Sequence, residues 1–541
     1  MMTRSLLLST VAFLIGLSTQ ASAQTANPIK HLVVIFDENV SFDHYFGTYP
    51  NALNPPHETP FRPRPGTPTV NGLTQMLLER NPNFLNTKIN GTYATNPFRL
   101  GPLQAATADQ NHGYTEEQLA FHAGLMDSFP QYTGLPALPT DKFYPQSLRG
   151  APSAYVQQTK GLVMAYFDGN TVTALWNYAQ RYALNDNSFA STFGQSTQGA
   201  IELVSGQTNG VTDQINAASD LADGGSGTFT EVDDADPIGD VCSSTSWGQI
   251  HYTGNNIGQM LTRHGVTWGW FEAGFDLTRT NTNGTTGCLR STYSKITQQS
   301  PPDYIPHHEP FQYYTPTANL RHTRPASVRM IGRNGDGANH QYDTEDFFAA
   351  VKAGNFPAVS FLKAPGFQDA HAGYSDPLDE QDWLITVVNF LERRPEWKNI
   401  AVIVAYDDSD GWYDHQMGPI ANQSTSKADG LTAPGQCGDG ATALPGPAVD
   451  HAQGRCGYGP RLPLLVISPY ARRNYVDHSL TDQTSVLRFI EDTFLNGERV
   501  GGGSFDAVAG SLNGMFDFAH PDTKPYILDK TGKVLTHEGT P

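Results

Sequence analysis

Positive charge is scarce in this 541-residue chain: 34 Lys and Arg stand against 53 Asp and Glu, a formal net charge of −19. That balance excludes a broad cationic face for polymeric nucleic acid or an anionic membrane, so no nucleic-acid partner is expected. Past the first residues, no stretch has the roughly 18 uninterrupted apolar residues of a membrane-spanning helix, so no stable membrane anchor is expected. No internal repeat is evident, and no linker is long enough to force a two-domain division. Cysteine is limited to Cys242, Cys288, Cys437 and Cys456, at spacings unlike a zinc ribbon. An even number in an oxidising compartment suggests disulfides, by proximity Cys242–Cys288 and Cys437–Cys456, with free buried thiols as the alternative.

That compartment is inferred from the first residues. Met-Met-Thr-Arg precedes a largely apolar run from Ser5 to Leu17, and Ala21-Ser-Ala23 has the small-x-small order of a cleavage site. Residues 1–23 therefore read as a secretory signal peptide, and the mature chain is expected in the periplasm or outside the cell. A buried N-terminal helix or membrane anchor fits that order poorly. The remainder, 24–541, reads as a single domain, and 52 Gly and 37 Pro make it rich in loops.

His31-Leu-Val-Val-Ile-Phe36 is a short β-branched run that delivers Asp37-Glu38-Asn39 at its carboxyl end. Ile400-Ala-Val-Ile-Val-Ala-Tyr406 repeats the design and is followed by Asp407-Asp408; Leu462 to Ser468 is a third such run. Helical periodicity marks Trp383–Leu391 and Thr484–Asp492. Apolar strands alternating with helices predict an α/β fold, with a mainly parallel sheet covered on both faces and ligands outside the strands' carboxyl ends. The stretch from about 206 to 338 is rich in Gly, Asn, Thr and Asp and weak in periodicity, and reads as a loop-rich, cap-like insertion.

Two strand ends far apart in sequence thus present adjacent oxygen donors, Glu38 with Asn39 and Asp407 with Asp408. Carboxylates and an amide carbonyl without cysteine suit a hard cation; solvated acidic turns are the alternative. His112, the pair His307-His308, and His371 sit in polar, Gly- and Pro-rich contexts. Such histidines can bind a phosphoryl oxygen, protonate a leaving group or hold a metal, or else make structural hydrogen bonds. Phe193-Gly-Gln-Ser-Thr-Gln-Gly199 reads as a tight loop entering a helix, with Ser196 or Thr197 near the N-cap. A helix start favours an anion, and an ordinary capping serine is the alternative.

The run His31-Leu-Val-Val-Ile-Phe-Asp-Glu-Asn-Val-Ser-Phe-Asp-His-Tyr-Phe-Gly47 resembles the opening motif of the bacterial phospholipase C and acid phosphatase family, a branch of the alkaline phosphatase superfamily. Further matches run in order through Asp109-Gln-Asn-His112, Met164–Asp168, Ala183–Asn187, Phe193–Thr197, His307–Phe311, His371, Tyr406–His415 and Gly457–Pro463, across nearly the whole mature chain. The details look closer to the periplasmic acid phosphatases, because Ser196 stands where those enzymes place a nucleophilic serine. One departure concerns Gly194-Gln-Ser-Thr-Gln-Gly199, where family members often carry prolines on both sides of the Ser-Thr pair.

The resemblance implies an alkaline-phosphatase-like three-layer α/β/α sandwich. It implies one divalent metal ion, a calcium-like hard cation, held by Glu38, Asn39, Ser196, Asp407 and Asp408. His112, His307, His308 and His371 would form the phosphate pocket, and Asn39 would also touch the phosphoryl group. The implied activity is that of an exported phosphate monoester hydrolase of acid phosphatase type, with Ser196 as nucleophile, a phosphoserine intermediate, and a small phosphate ester as substrate. Phospholipase C cleavage of phospholipid diesters is the alternative within that chemistry. A non-catalytic secreted binding protein on the same scaffold is the alternative outside it.

Overall fold

The computed structural model describes residues 25–137, 157–225, 227–442, 444–446 and 454–535, so the expected signal peptide lies outside the described residues. The two runs that end in acidic residues, His31–Asp37 and Ile400–Tyr406, are the middle pair of an eight-stranded sheet. The sheet order is Gln341–Tyr342, Trp268–Glu272, Val359–Lys363, His31–Asp37, Ile400–Tyr406, Leu464–Ile467, Ala183–Asn185 and Tyr475–Asp477. Every pairing is parallel except those of Leu464–Ile467, which runs antiparallel to both neighbours. The parallel expectation for this third apolar run is therefore corrected. A fully buried strand carries the same unbroken apolar pattern in either direction, and direction is set by the connection leading into it.

All seven residues of Ile400–Tyr406 are buried, so both faces of the sheet are covered. One layer holds the helices Thr173–Arg181, Thr344–Lys352 and Pro377–Glu392, knit by Phe348 packing edge-on against Trp383 and Phe390. The other holds Ser196–Ser205, Ile257–Arg263 and Thr484–Phe494. Each apolar side chain fully buried between these layers contributes roughly 1.5–3 kcal/mol. Pro377–Glu392 begins ahead of its periodic stretch: Asp376 caps it by accepting from the backbone N–H groups of Leu378 and Asp379, and Pro377 occupies the first turn.

The stretch 206–338 holds regular structure as well as loops. It carries a second, five-stranded sheet, built from Asn209–Ile215, Leu221–Gly225, Thr228–Glu231, Asp236–Pro237 and Gln249–Tyr252. It also returns to the main sheet as Trp268–Glu272, all five of whose residues are buried. The small strands escape a periodicity reading because several of their positions face solvent with polar side chains, as at the consecutive Thr212, Asp213 and Gln214 of Asn209–Ile215. Both disulfides, Cys242–Cys288 and Cys437–Cys456, are formed. Among the described residues, no helix is long and apolar enough to cross a membrane.

Candidate active site

The register of the middle strand pair assembles the site. His31–Asp37 runs beside Ile400–Tyr406 with Asp37 opposite Tyr406, so Glu38-Asn39 and Asp407-Asp408 leave the sheet side by side. Asn39 turns through a positive φ of 47°, a conformation that asparagine tolerates better than most residues, and its backbone N–H donates to Asp407 Oδ1 at 3.0 Å. Asp407 Oδ1 also accepts from the Asp408 N–H at 2.7 Å, and Asp408 Oδ1 from the Asp410 N–H at 2.6 Å. Local backbone donors thus aim both carboxylates before any ligand arrives.

The helix Ser196–Ser205 brings the serine to these carboxylates. Its N-cap is Gln195, whose backbone N–H is answered by the Gln198 side chain at 2.6 Å, so Ser196 is the first helical residue, next to the cap as expected, and the alternative of an ordinary capping serine is corrected. A capping box conventionally uses Ser or Thr at the cap, and the glutamine version conceals the boundary. Ser196 Oγ lies 3.0 Å from Glu38 Oε2 and 3.2 Å from Asp408 Oδ2. Thr197 faces elsewhere: its hydroxyl and its N–H both donate to Asp234 Oδ1, at 2.7 and 3.0 Å.

Gly199, fourth in the helix, permits this approach, because a Cβ there would overlap the backbone carbonyl of Asp407. Gly199→Ala is expected to push the helix start off the strand end and lower kcat about 100-fold in protein that still folds, since a displacement near 1 Å costs that much. A steady-state assay beside a melting curve checks it, and a wild-type kcat would show that the contact is not needed.

Three buried polar atoms at these strand ends, Asn39 Oδ1 and Nδ2 and Asp407 Oδ2, find no hydrogen-bond partner among the described residues, each at a cost of roughly 1–3 kcal/mol if left so. Around them Glu38, Asp407, Asp408 and the Ser196 hydroxyl offer only oxygen, a donor set that fits a hard divalent cation. Burial, and then Asp407, push the Asp408 carboxyl well above the usual range, the behaviour of crowded carboxylates awaiting a positive charge.

The four histidines come as two pairs. His112 and His371 have ring centroids 6.0 Å apart, His307 and His308 4.6 Å, and His308 Nδ1 lies 3.3 Å from Glu38 Oε1. The Nδ1 atoms of His112 and His371 lie 2.8 and 2.5 Å from the carbonyls of Gln110 and Ala372, a donor geometry that leaves each Nε2 free to exchange a proton. Burial depresses every one of these imidazoles. At His112 the neighbouring Asp408, Asp410 and Asp109 outweigh it and hold the ring well above the ordinary value; Asp234, Asp236 and Asp407 raise His307. Burial prevails at His308 and His371.

Sequence reasoning overlooked Lys363 and Glu117. Lys363 ends the strand Val359–Lys363, is buried, and its Nζ pairs with Glu38 Oε1. Its signal was present, a cation closing an apolar run, the same design as the acidic strand ends. Glu117 carried no such signal. Asp43, Asp414 and His415, from two of the matched motifs, are joined to one another: buried Arg461 pairs with both aspartates at 3.0 and 3.1 Å, and His415 Nδ1 lies 2.6 Å from Asp43 Oδ2.

A mainly parallel sheet whose middle strands deliver oxygen donors at their carboxyl ends, beside a helix-start serine and four histidines, defines the class. The Phosphoesterase family's sequence profile matches residues 29–495, and the chain belongs to that family. Phospholipase C B of Mycobacterium tuberculosis H37Rv is 24% identical over 509 residues, 91% of this chain and 78% of that protein. The non-hemolytic phospholipase C of Pseudomonas aeruginosa is 33% identical over 184 residues, 32% of this chain and only 25% of that protein's length. Among solved structures, murine ectonucleotide pyrophosphatase/phosphodiesterase 5 is similar over 64% of this chain and 95% of that chain, at 12% identity and a TM-score of 0.30.

Proposed function

We propose that this chain is an exported, metal-dependent phosphoester hydrolase with Ser196 as nucleophile. The observation that carries the reading is Ser196 Oγ held 3.0 and 3.2 Å from two carboxylates that share a strand-end cluster with unpartnered Asn39 and Asp407 oxygens. Glu38, Asn39, Ser196, Asp407 and Asp408 would hold one divalent cation, a calcium-like hard ion by donor type. When bound, such an ion supplies positive charge against the phosphoryl oxygens and lowers the pKa of the serine hydroxyl.

Ser196 Oγ attacks phosphorus in line with the leaving oxygen, its proton passing to Glu38 or Asp408, which already accept from it. The bond from phosphorus to the leaving oxygen breaks, and His112, favoured in its protonated form by neighbouring carboxylates, gives that oxygen a proton. Asn39 Nδ2 and the helix start donate to the phosphoryl oxygens, while His307, His308 and His371 line the phosphate pocket. Water then attacks the phosphoserine phosphorus, giving a proton back to His112, and the bond from phosphorus to Ser196 Oγ breaks as Oγ recovers its proton from the carboxylate that took it. We assign 24–541 to one domain, with the small sheet as its cap; this sheet's Asp236 lies 3.5 Å from His307 Nδ1. Two disulfides support export.

Phosphate monoesters are the first substrate class, on the resemblance at Ser196. Phospholipase C action on phospholipid diesters is the second, favoured by the Mycobacterium relatives aligned over 509 residues. Comparing kcat/KM for p-nitrophenyl phosphate, bis(p-nitrophenyl) phosphate and a phospholipid dispersion separates them. The monoester is expected to lead by at least about tenfold, about 1.4 kcal/mol of transition-state preference. The reverse order transfers the assignment to phospholipase C, and no turnover of any of them leaves the binding-protein alternative.

A further inference from the structure

The nucleophile loop and the metal-ligand loop meet at one buried carboxylate that the mechanism above does not use. Glu117 lies on the helix Tyr114–Phe121, which starts two residues after His112, and is 1% exposed. Its Oε2 accepts from the backbone N–H of Gly194 at 3.1 Å, two residues before Ser196. Its Oε1 accepts from the Ser409 hydroxyl at 2.7 Å, one residue after Asp408. Ser409 Oγ in turn accepts from the Gly411 N–H at 3.0 Å, which secures the far side of that loop.

We infer that Glu117 is a positioning residue that ties the loop of Ser196 to the loop of Asp407 and Asp408, and so sets the nucleophile's place relative to the cation; this rests on the function proposed above.

Two further observations support the assignment. First, the loop Gly194-Gln-Ser-Thr-Gln-Gly199 contains no proline, and Gly194 sits at φ 117°, a left-handed conformation that favours glycine, so the backbone itself does little to restrain the approach to Ser196. External hydrogen bonds must do so. Second, a buried carboxylate is a poor way to gain stability. Burial outweighs the Ser409 and Gly194 hydrogen bonds and the nearby His112 and pushes the Glu117 carboxyl up to about 7, so removing it from water costs more than its partners return. A packing role would be met by an apolar side chain, whereas a side chain with two polar atoms at its end spans both loops at once.

The test uses the full chain with p-nitrophenyl phosphate for kcat and KM, calorimetric titration of calcium after chelation, and thermal melting. Glu117→Ala is expected to lower kcat about 100-fold with KM within about twofold, and to weaken calcium binding about tenfold, as loss of an outer support does. Glu117→Gln keeps the length, with its carbonyl toward Gly194 and its amide toward Ser409 Oγ, and is expected to recover most of both losses. Ser409→Ala should reproduce part of the kcat loss, and the double variant should lose no more than Glu117→Ala alone, because the two residues act as one link.

The inference is overturned if Glu117→Ala stays within about threefold of wild type in kcat and calcium affinity, or if its losses only track the loss of folded protein. Should Glu117→Ala not fold, Glu117→Gln and Ser409→Ala decide by the same two readouts: wild-type values in Ser409→Ala defeat the link. Ser196→Ala, run alongside, separates the two levels. An inactive Ser196→Ala with a healthy Glu117→Ala rejects the link alone, whereas an active Ser196→Ala rejects the nucleophile assignment itself.

Discussion

Ser196→Ala abolishes turnover, by on the order of 10⁴-fold or more in kcat, while the chain stays folded. The size follows from the role: the hydroxyl is asked to form the bond to phosphorus, and no neighbour can substitute. Thr197 is the nearest oxygen of the same kind, yet its hydroxyl is committed to Asp234 at 2.7 Å, so Thr197→Ala is expected to reduce activity only modestly. The folding expectation follows from the cap. Gln195, not Ser196, closes the helix start, so the alanine variant keeps its capping interactions and loses only hydrogen bonds to Glu38 and Asp408, about 1 kcal/mol. Acid quench should trap a phosphate on residue 196 of the wild type and none on the variant. Substantial activity in Ser196→Ala would end the covalent mechanism.

Chelation is expected to produce a loss of similar extent, reversed by calcium or another hard cation. Glu38 and Asp408 stand against Ser196 with Asp407 beside them, and Lys363 pairs with Glu38. With no cation the cluster repels an incoming phosphate, and Asn39 and Asp407 keep unanswered oxygens. Binding should also stabilise the fold, by about 2.7 kcal/mol at a hundredfold excess over Kd, so the melting temperature must fall on chelation and recover with the ion. Restoration by zinc alone would contradict the all-oxygen assignment. It would direct attention to Asp109, His112, His371 and Asp410, which can bring one ligand atom each to within 4.8 Å of one another and include nitrogen.

Much of the centre was legible residue by residue. Strand-end acids announce themselves, since an apolar run that stops at Glu38 or Asp407 can only project those side chains beyond the sheet. The glycine-flanked Ser196 and the four histidines stood out because their contexts offered no apolar face to serve. Glu117 did not stand out. It lies among Thr115, Glu116 and Gln118 in a helix with a polar first turn, where an acid is ordinary, and only its two distant partners distinguish it. The strand Trp268–Glu272 was hidden for a related reason: the loop-like composition around it outweighed five buried residues.

The sequence by itself determined the chemistry on offer and the class of scaffold: oxygen donors without cysteine ligands, a serine at a helix start, and apolar strands alternating with helices. Local side-chain type and periodicity suffice for that, because they depend on neighbours a few residues away. Only the tertiary structure decided that Asp37 stands opposite Tyr406, that Leu464–Ile467 runs antiparallel, that Gly199 lets a helix rest against Asp407, and that Glu117 links Gly194 to Ser409. Each joins residues far apart along the chain through register or close approach. Such pairings are selected by the packing of the whole core, and no window of the sequence contains both partners.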